Sequence, residues 1–304
     1  MRITLGMLTN QVRLNLRSSA ERLLEAQDRA SSGKRIRRPS DDVPGVGRAI
    51  GLRSALASIE QFGRNSDIAS SQLALTSTAL DSAVTAVQDA RRLALSAASS
   101  TLTEEARDAI AAQLDTIMEQ LVATANTQHL GKYIFAGGLS ETKPIVPNAA
   151  GGPPYSYQGD AGRFAVQVSP GVYITANVTG DVVFNMGGAG APGAPDVFAV
   201  VQTLKEKVLA GDVEQISAQI TEIDANLNNL IAVRSQVGGR LSRLESSKEA
   251  LADSKVKAMD LLSKTEDADL TEAIVELQTR QNVYQAAIAT ASRILQISLA
   301  DFLK

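Results

Sequence analysis

Residues 216–262 read ISAQITEIDANLNNLIAVRSQVGGRLSRLESSKEALADSKVKAMDLL. Alternating steps of four and three pick out Ile216, Ile220, Ile223, Leu227, Leu230, Arg234, Val237, Leu241, Leu244, Lys248, Leu251, Lys255, Ala258 and Leu262. Eleven of these fourteen positions are apolar, which is the heptad seam of one long helix and not the alternation of a strand. At 1.5 Å per residue the seam is about 70 Å long. Gly238-Gly239 inside it marks either a kink or a close helix approach. A single stripe cannot bury itself, so the rest of the chain must supply partner helices.

Those partners are legible on both sides. Leu270, Ile274, Leu277, Gln281, Tyr284, Ile288, Ala291, Leu295, Ser298 and Phe302 repeat the four–three spacing. The acidic stretch before them reads as a helix start, with Asp269 or Thr271 as its cap. Near the other end, Leu5, Leu8, Val12, Leu16, Leu23 and Ala30 share one helical face. A long pattern runs from Leu52 through Leu56, Ile59, Leu73 and Leu80 to Val87. A shorter helix is predicted over about 104–128, with Ile110, Leu114, Ile117 and Leu121 on one side and Thr101 or Thr103 as cap.

The middle of the chain changes character. Seven of the nine prolines lie between Pro144 and Pro195, and none follows in the last 109 residues, so the turn-rich part is an insert between helical flanks. Within it Tyr155–Tyr157, Arg163–Val168, Val172–Val178 and Asp181–Phe184 read as strands, separated by turns at Gly159-Asp160, Pro170-Gly171 and Gly180-Asp181. The expected fold is mainly α: a long helical bundle or coiled-coil rod with a small central β insert. Five segments follow from the pattern. They are an N-terminal inner helix at 1–40, the first part of the bundle at 41–138, the insert at 139–197, the second part of the bundle at 198–267 and a C-terminal inner helix at 268–304.

Composition excludes most chemistry. The chain has no cysteine, one histidine (His129) and a formal net charge of −3. Disulfides and thiolate metal sites are therefore absent, and no global basic field attracts nucleic acid. The glycines at Gly187, Gly188 and Gly190 lack the Lys-Ser/Thr of a phosphate loop. Asp41-Asp42 resembles a carboxylate pair, but nothing catalytic accompanies it. The basic run Lys34-Arg35-Ile36-Arg37-Arg38 has no aromatic residue and is followed at once by those aspartates, which suits a charge-balanced joint better than a nucleic-acid site. We expect no catalytic residue, no metal, no cofactor, no nucleic-acid partner and no membrane insertion. No run of 18 apolar residues exists, and Asn10, Gln11, Arg13, Asn15 and Arg17 interrupt any secretory signal; by that criterion alone the chain reads as cytosolic, with export by a route without a cleaved signal left open.

Ser31-Ser32-Gly33-Lys34-Arg35-Ile36 closely resembles the signature of bacterial flagellins and their hook-associated relatives. The continuation Arg38-Pro39-Ser40-Asp41-Asp42-Val43-Pro44, the start Met1-Arg2-Ile3-Thr4 and the segment Gly131-Lys132-Tyr133-Ile134-Phe135-Ala136-Gly137-Gly138 are similar to the hook-associated branch and not to flagellin proper. Leu277-Gln278-Thr279-Arg280-Gln281-Asn282-Val283-Tyr284 through Leu299-Ala300-Asp301-Phe302-Leu303 is similar to the family's terminal helix. The resemblance covers both flanks, about 240 residues, and leaves the insert unmatched.

It implies an adaptor of the bacterial flagellum, exported unfolded through the flagellar type III channel to an extracellular position. There it joins the hook, through another hook-associated protein, to the flagellin filament as a ring of its own copies. It also implies an export chaperone on the C-terminal helix. The candidate subunit interface is Leu5, Leu8, Val12, Leu16 and Leu23 with Leu270, Ile274, Leu277, Tyr284, Ile288, Leu295 and Phe302. Ser32, Gly33, Lys34, Arg35, Pro39, Ser40, Asp41 and Asp42 form the joint between inner and outer helices. Two other readings compete. A short flagellin would show thousands of copies per filament. A helical enzyme or scaffold would need a pocket with a perturbed titratable pair.

Overall fold

A computed structural model describes residues 5–99, 102–148, 153–188, 190 and 195–302, the side chains of 5, 6, 8 and 294–302 excepted. Among the described residues seven α-helices dominate: α1 (Leu5–Ser32), α2 (Val43–Ala97), α3 (Glu104–Ala125), α4 (Gly180–Val183), α5 (Val197–Ala210), α6 (Val213–Glu266) and α7 (Leu270–Phe302). Six short strands lie between α3 and α4: β1 (Gln128–His129), β2 (Lys132–Tyr133), β3 (Ile145–Pro147), β4 (Tyr155–Tyr157), β5 (Ala165–Ser169) and β6 (Val172–Thr175). They pair only as antiparallel hairpins, β1 with β2, β3 with β4 and β5 with β6. The fold is mainly α with a small β insert, as the patterning predicts.

The chain forms two compact units. One contains residues 1–58 and 254–304, the other residues 59–253. The larger unit holds a thick core. In α6 every seventh residue from Ile216 through Ile223, Leu230, Val237 and Leu244 to Leu251 is buried, while the alternate seam positions Ile220, Leu227 and Leu241 are half-buried. Helix α2 meets it with Ser66, Leu73, Leu80, Val87 and Ala94, and buries a second row of small residues at Ala69, Thr76, Ala83, Ala90 and Ala97. Phe135, Phe184 and Phe198 stack at ring-centroid distances of 5.6 and 5.4 Å, joining the insert to α5 in the same core.

Polar side chains from the helices hold the insert's carbonyls. Asn65 Nδ2 donates to Gln167 O, Arg240 to Asn177 O, and Asn229 Nδ2 to Val182 O and Val183 O. Asn126 clamps Ile145 from both sides, its Oδ1 accepting Ile145 N and its Nδ2 donating to Ile145 O.

Three local expectations are corrected. Asp181–Phe184 is not a strand. Thr179 opens a helical turn there, Asp181 sits in its first turn, and Val183 and Phe184 turn into the core. Helix α3 stops at Ala125, because Gln128–His129 is already in a hairpin that periodicity did not reveal. Helix α6 runs through Gly238-Gly239 as helix, and a Cβ at either glycine would meet nothing within 4 Å. Of the proposed caps, Thr103 accepts Ala106 N and Asp269 accepts Thr271 N and Glu272 N; Thr101 lies outside the described residues.

The smaller unit is built differently. Its buried apolar residues, among those described, are Ala26, Ile36, Ala49, Ala258, Ala273 and Ala291, so among them only one apolar side chain is larger than alanine.

Candidate assembly surfaces

The turn from α1 to α2 is held almost entirely by polar groups. Gly33 takes φ of 67°, which an L side chain adopts only with strain, and its N–H closes α1 on Arg29 O. Asp41 Oδ2 accepts the backbone N–H groups of Arg37 and Arg38, and those bonds hold its carboxyl below the ordinary range. Asp42 caps α2 by accepting Gly45 N and pairs with Arg35, and it too is held low, the Gly45 bond being the main cause. Three cations of the basic run are matched: Lys34 with Glu266, Arg35 with Asp42 and the carbonyl of Thr265, and Arg37 with Asp28. Ile36 plugs the turn. A Cβ added at Gly45 would lie 2.6 Å from Ile36 Cδ1 and would also crowd the Asp42 carboxylate, so glycine there leaves room for both side chains. Ser32, Pro39 and Ser40 stay exposed.

Helices α1 and α7 pack against each other and run antiparallel. Arg29 pairs with Glu276 at 2.8 Å, while Val12 and Leu16 border a shallow cleft with Ala287 and Ala291. Val12, Leu16 and Leu23 are half-buried, as are Leu277 and Tyr284. The remaining apolar positions of the α7 stripe are open: Leu270 is 54% exposed, Ile274 59% and Ile288 46%. At 100° per residue these three centre about 70° around α7 from the face that holds Ala273, Tyr284 and Ala291. One flank of the stripe covers α1; the other faces outward. The side chains of Leu5, Leu8, Leu295 and Phe302 lie outside the described residues.

Among the described residues there is no group of three His, Cys, Asp or Glu placed to hold a metal, and no helix is long and apolar enough to cross a membrane. His129 sits in β1 at the edge of an open cleft with Ile68, Leu130 and Phe164. Burial pushes the Asp196 carboxyl up to about 6, while it caps α5 by accepting Phe198 N. It is a structural cap, and sequence reading gave no sign of it.

The long paired helices and the closed polar joint define a class. The bacterial flagellin N-terminal helical region matches residues 3–139 and the bacterial flagellin C-terminal helical region matches residues 220–303, and the chain belongs to this family. Within it, the chain is similar to flagellar hook-associated protein 3 of Salmonella typhimurium, at 29% identity over 98% of each chain. It is also similar to flagellar hook-associated protein 3 of Escherichia coli, at 26% identity over the full length of both. The fold resembles the crystal structure of the flagellar junction protein FlgL from Legionella pneumophila, with a TM-score of 0.61 and 19% identity, covering 74% of this chain and all of that one.

Proposed function

We propose that this chain is a structural adaptor of the bacterial flagellum that joins the hook to the flagellin filament. The observation that carries the reading is the end-to-end similarity to two proteins named flagellar hook-associated protein 3. In this reading residues 1–40 and 268–304 are inner helices, 41–138 and 198–267 the surrounding bundle, and 139–197 the surface insert. Copies associate in a ring through Val12, Leu16, Leu23, Leu270, Ile274, Leu277, Tyr284 and Ile288, continued by Leu5, Leu8, Leu295 and Phe302. The outward flank of α7 supports this, since contiguous exposed apolar side chains mark association surfaces.

The neighbours of the ring are another hook-associated protein on one side and flagellin on the other. The location is extracellular, reached through the flagellar type III system without a cleaved signal, with an export chaperone on α7 before assembly. The chain carries out no catalysis.

A short flagellin is the second reading, because the matching family regions are those of flagellin itself. Deleting the gene separates the two. The adaptor reading predicts hooks without filaments and monomeric filament protein in the medium, with about one ring of this chain per flagellum in the parent strain. Thousands of copies along each filament would establish the flagellin reading instead.

A further inference from the structure

The larger unit carries an apolar surface that its own core does not use. Ile68, Leu130, Tyr133 and Phe164 line an open cleft of about 390 Å³, and Ile68 and Phe164 are 58% and 54% exposed. Leu130, at the tip of the β1–β2 hairpin, is 91% exposed and held at φ of 51°, so the fold keeps a strained leucine in water. Strain kept at an exposed apolar position points to a partner. The charge of the cleft is one-sided. Lys132 lines it, Arg163 adjoins Phe164, and no carboxylate is among the lining residues. Both cations are exposed, and neither forms an ion pair among the described residues.

A surface of the opposite sign lies on α3. Glu105, Asp108, Ala112, Asp115 and Glu119 repeat steps of three and four, and all are exposed. At 100° per residue this ridge centres about 170° around the helix from the buried Ile110, Leu114, Ile117 and Leu121, so it faces outward over about 21 Å. Asp115 pairs with Lys205, whereas Asp108 and Glu119, on either side of Ala112, form no ion pair among the described residues. Ring contacts join two different surfaces of one chain, and a concave cationic surface calls for a convex acidic one. We propose, on the ring reading above, that the cleft of one copy receives α3 of the next, with Leu130 over Ala112 and Lys132 and Arg163 facing Asp108 and Glu119. The next copy then gives the strained leucine the cover that it lacks in the single chain. Both surfaces belong to residues 59–253, so the contact needs nothing from the terminal helices.

The chain has no cysteine, so introduced thiols report the contact directly. In isolated flagella, Leu130→Cys/Ala112→Cys treated with a short bismaleimide should give a ladder of dimers and higher multimers, while either single variant should stay monomeric. Lys132→Glu/Arg163→Glu should cut the number of hooks bearing filaments about tenfold or more, and adding Asp108→Lys/Glu119→Lys should restore it. Purified Lys132→Glu/Arg163→Glu should melt as wild type, because both side chains are exposed. Hooks that carry the chain but yield no ladder, a ladder from Leu130→Cys alone, or a charge reversal without effect or without rescue would overturn the contact and leave the adaptor reading standing. Hooks without the chain would overturn the adaptor reading itself, and the contact with it.

Discussion

At Leu130 the backbone takes φ of 51°, and Gly131 beside it takes 79°, so the β1–β2 hairpin closes with a two-residue turn of positive φ at both positions. Asn-Gly is the ordinary choice for such a turn. Leucine there is strained, and its side chain is 91% exposed, so nothing inside the fold rewards it. Leu130→Asn should raise the stability of the larger unit by about 1 kcal/mol in urea unfolding, the cost of a left-handed leucine. Asp196 gives a second residue-level test. Burial pushes its folded carboxyl up to about 6, above the ordinary aspartate value of 3.8, so the folded state holds a proton that the unfolded state releases. Its contribution is most favourable below about pH 4 and is lost as pH rises through 6. Asp196→Asn keeps the cap and removes the titration, so between pH 4 and pH 7 the variant should gain on the wild type by up to about 3 kcal/mol. Equal slopes for the two proteins would refute it. Neither feature was legible in the sequence: a leucine before glycine carries no turn signal, and one more aspartate before an apolar helix says nothing about its burial.

Between elements, α2 and α6 are matched by charge as well as by apolar packing. Lys248 pairs with Asp67, Arg234 with Asp81 and Arg91 with Asp224. The sum of the two residue numbers is the same in all three pairs, as it must be for antiparallel helices in constant register, here over about 36 Å of α2. Arg234 and Lys248 are two of the three breaks in the heptad stripe of α6. As exposed pairs they are worth under about 1 kcal/mol each, so their effect is on register more than on stability. Arg234→Asp should cost about 0.5 kcal/mol and Arg234→Asp/Asp81→Arg should recover it, measured as a double-mutant cycle of thermal or urea melts. Additive costs would mean the pair is incidental. The α6 stripe was readable because leucine and isoleucine repeat with a clear period. The second buried face of α2 was not, because it is made of alanines, which read as neutral helix formers. The residues that seat the insert, Asn65, Asn126, Asn229 and Arg240, look like solvent-facing positions of helices until the strands they hold are seen.

For the whole molecule, the two units differ in what covers their apolar residues. The larger one buries phenylalanines and leucines; the smaller one buries alanines and leaves Leu270, Ile274 and Ile288 open on α7. An outward stripe over a thin core is what a chain completed by its neighbours requires. Family resemblance at Ser31–Pro44 and at the last helix pointed to that arrangement from sequence, but periodicity did not say which flank of the α7 stripe would be spent on α1. The most direct test of the account is Ile274→Asp/Ile288→Asp, introduced in place of the wild-type chain. Both positions are exposed in the single chain, so the purified variant should melt within about 0.5 kcal/mol of wild type. In the assembled ring each aspartate would be an unpaired charge in an apolar seam, repeated in every copy. Electron microscopy of the strain should show hooks without filaments, with monomeric filament protein in the medium. Normal filaments on cells carrying this variant would contradict the account.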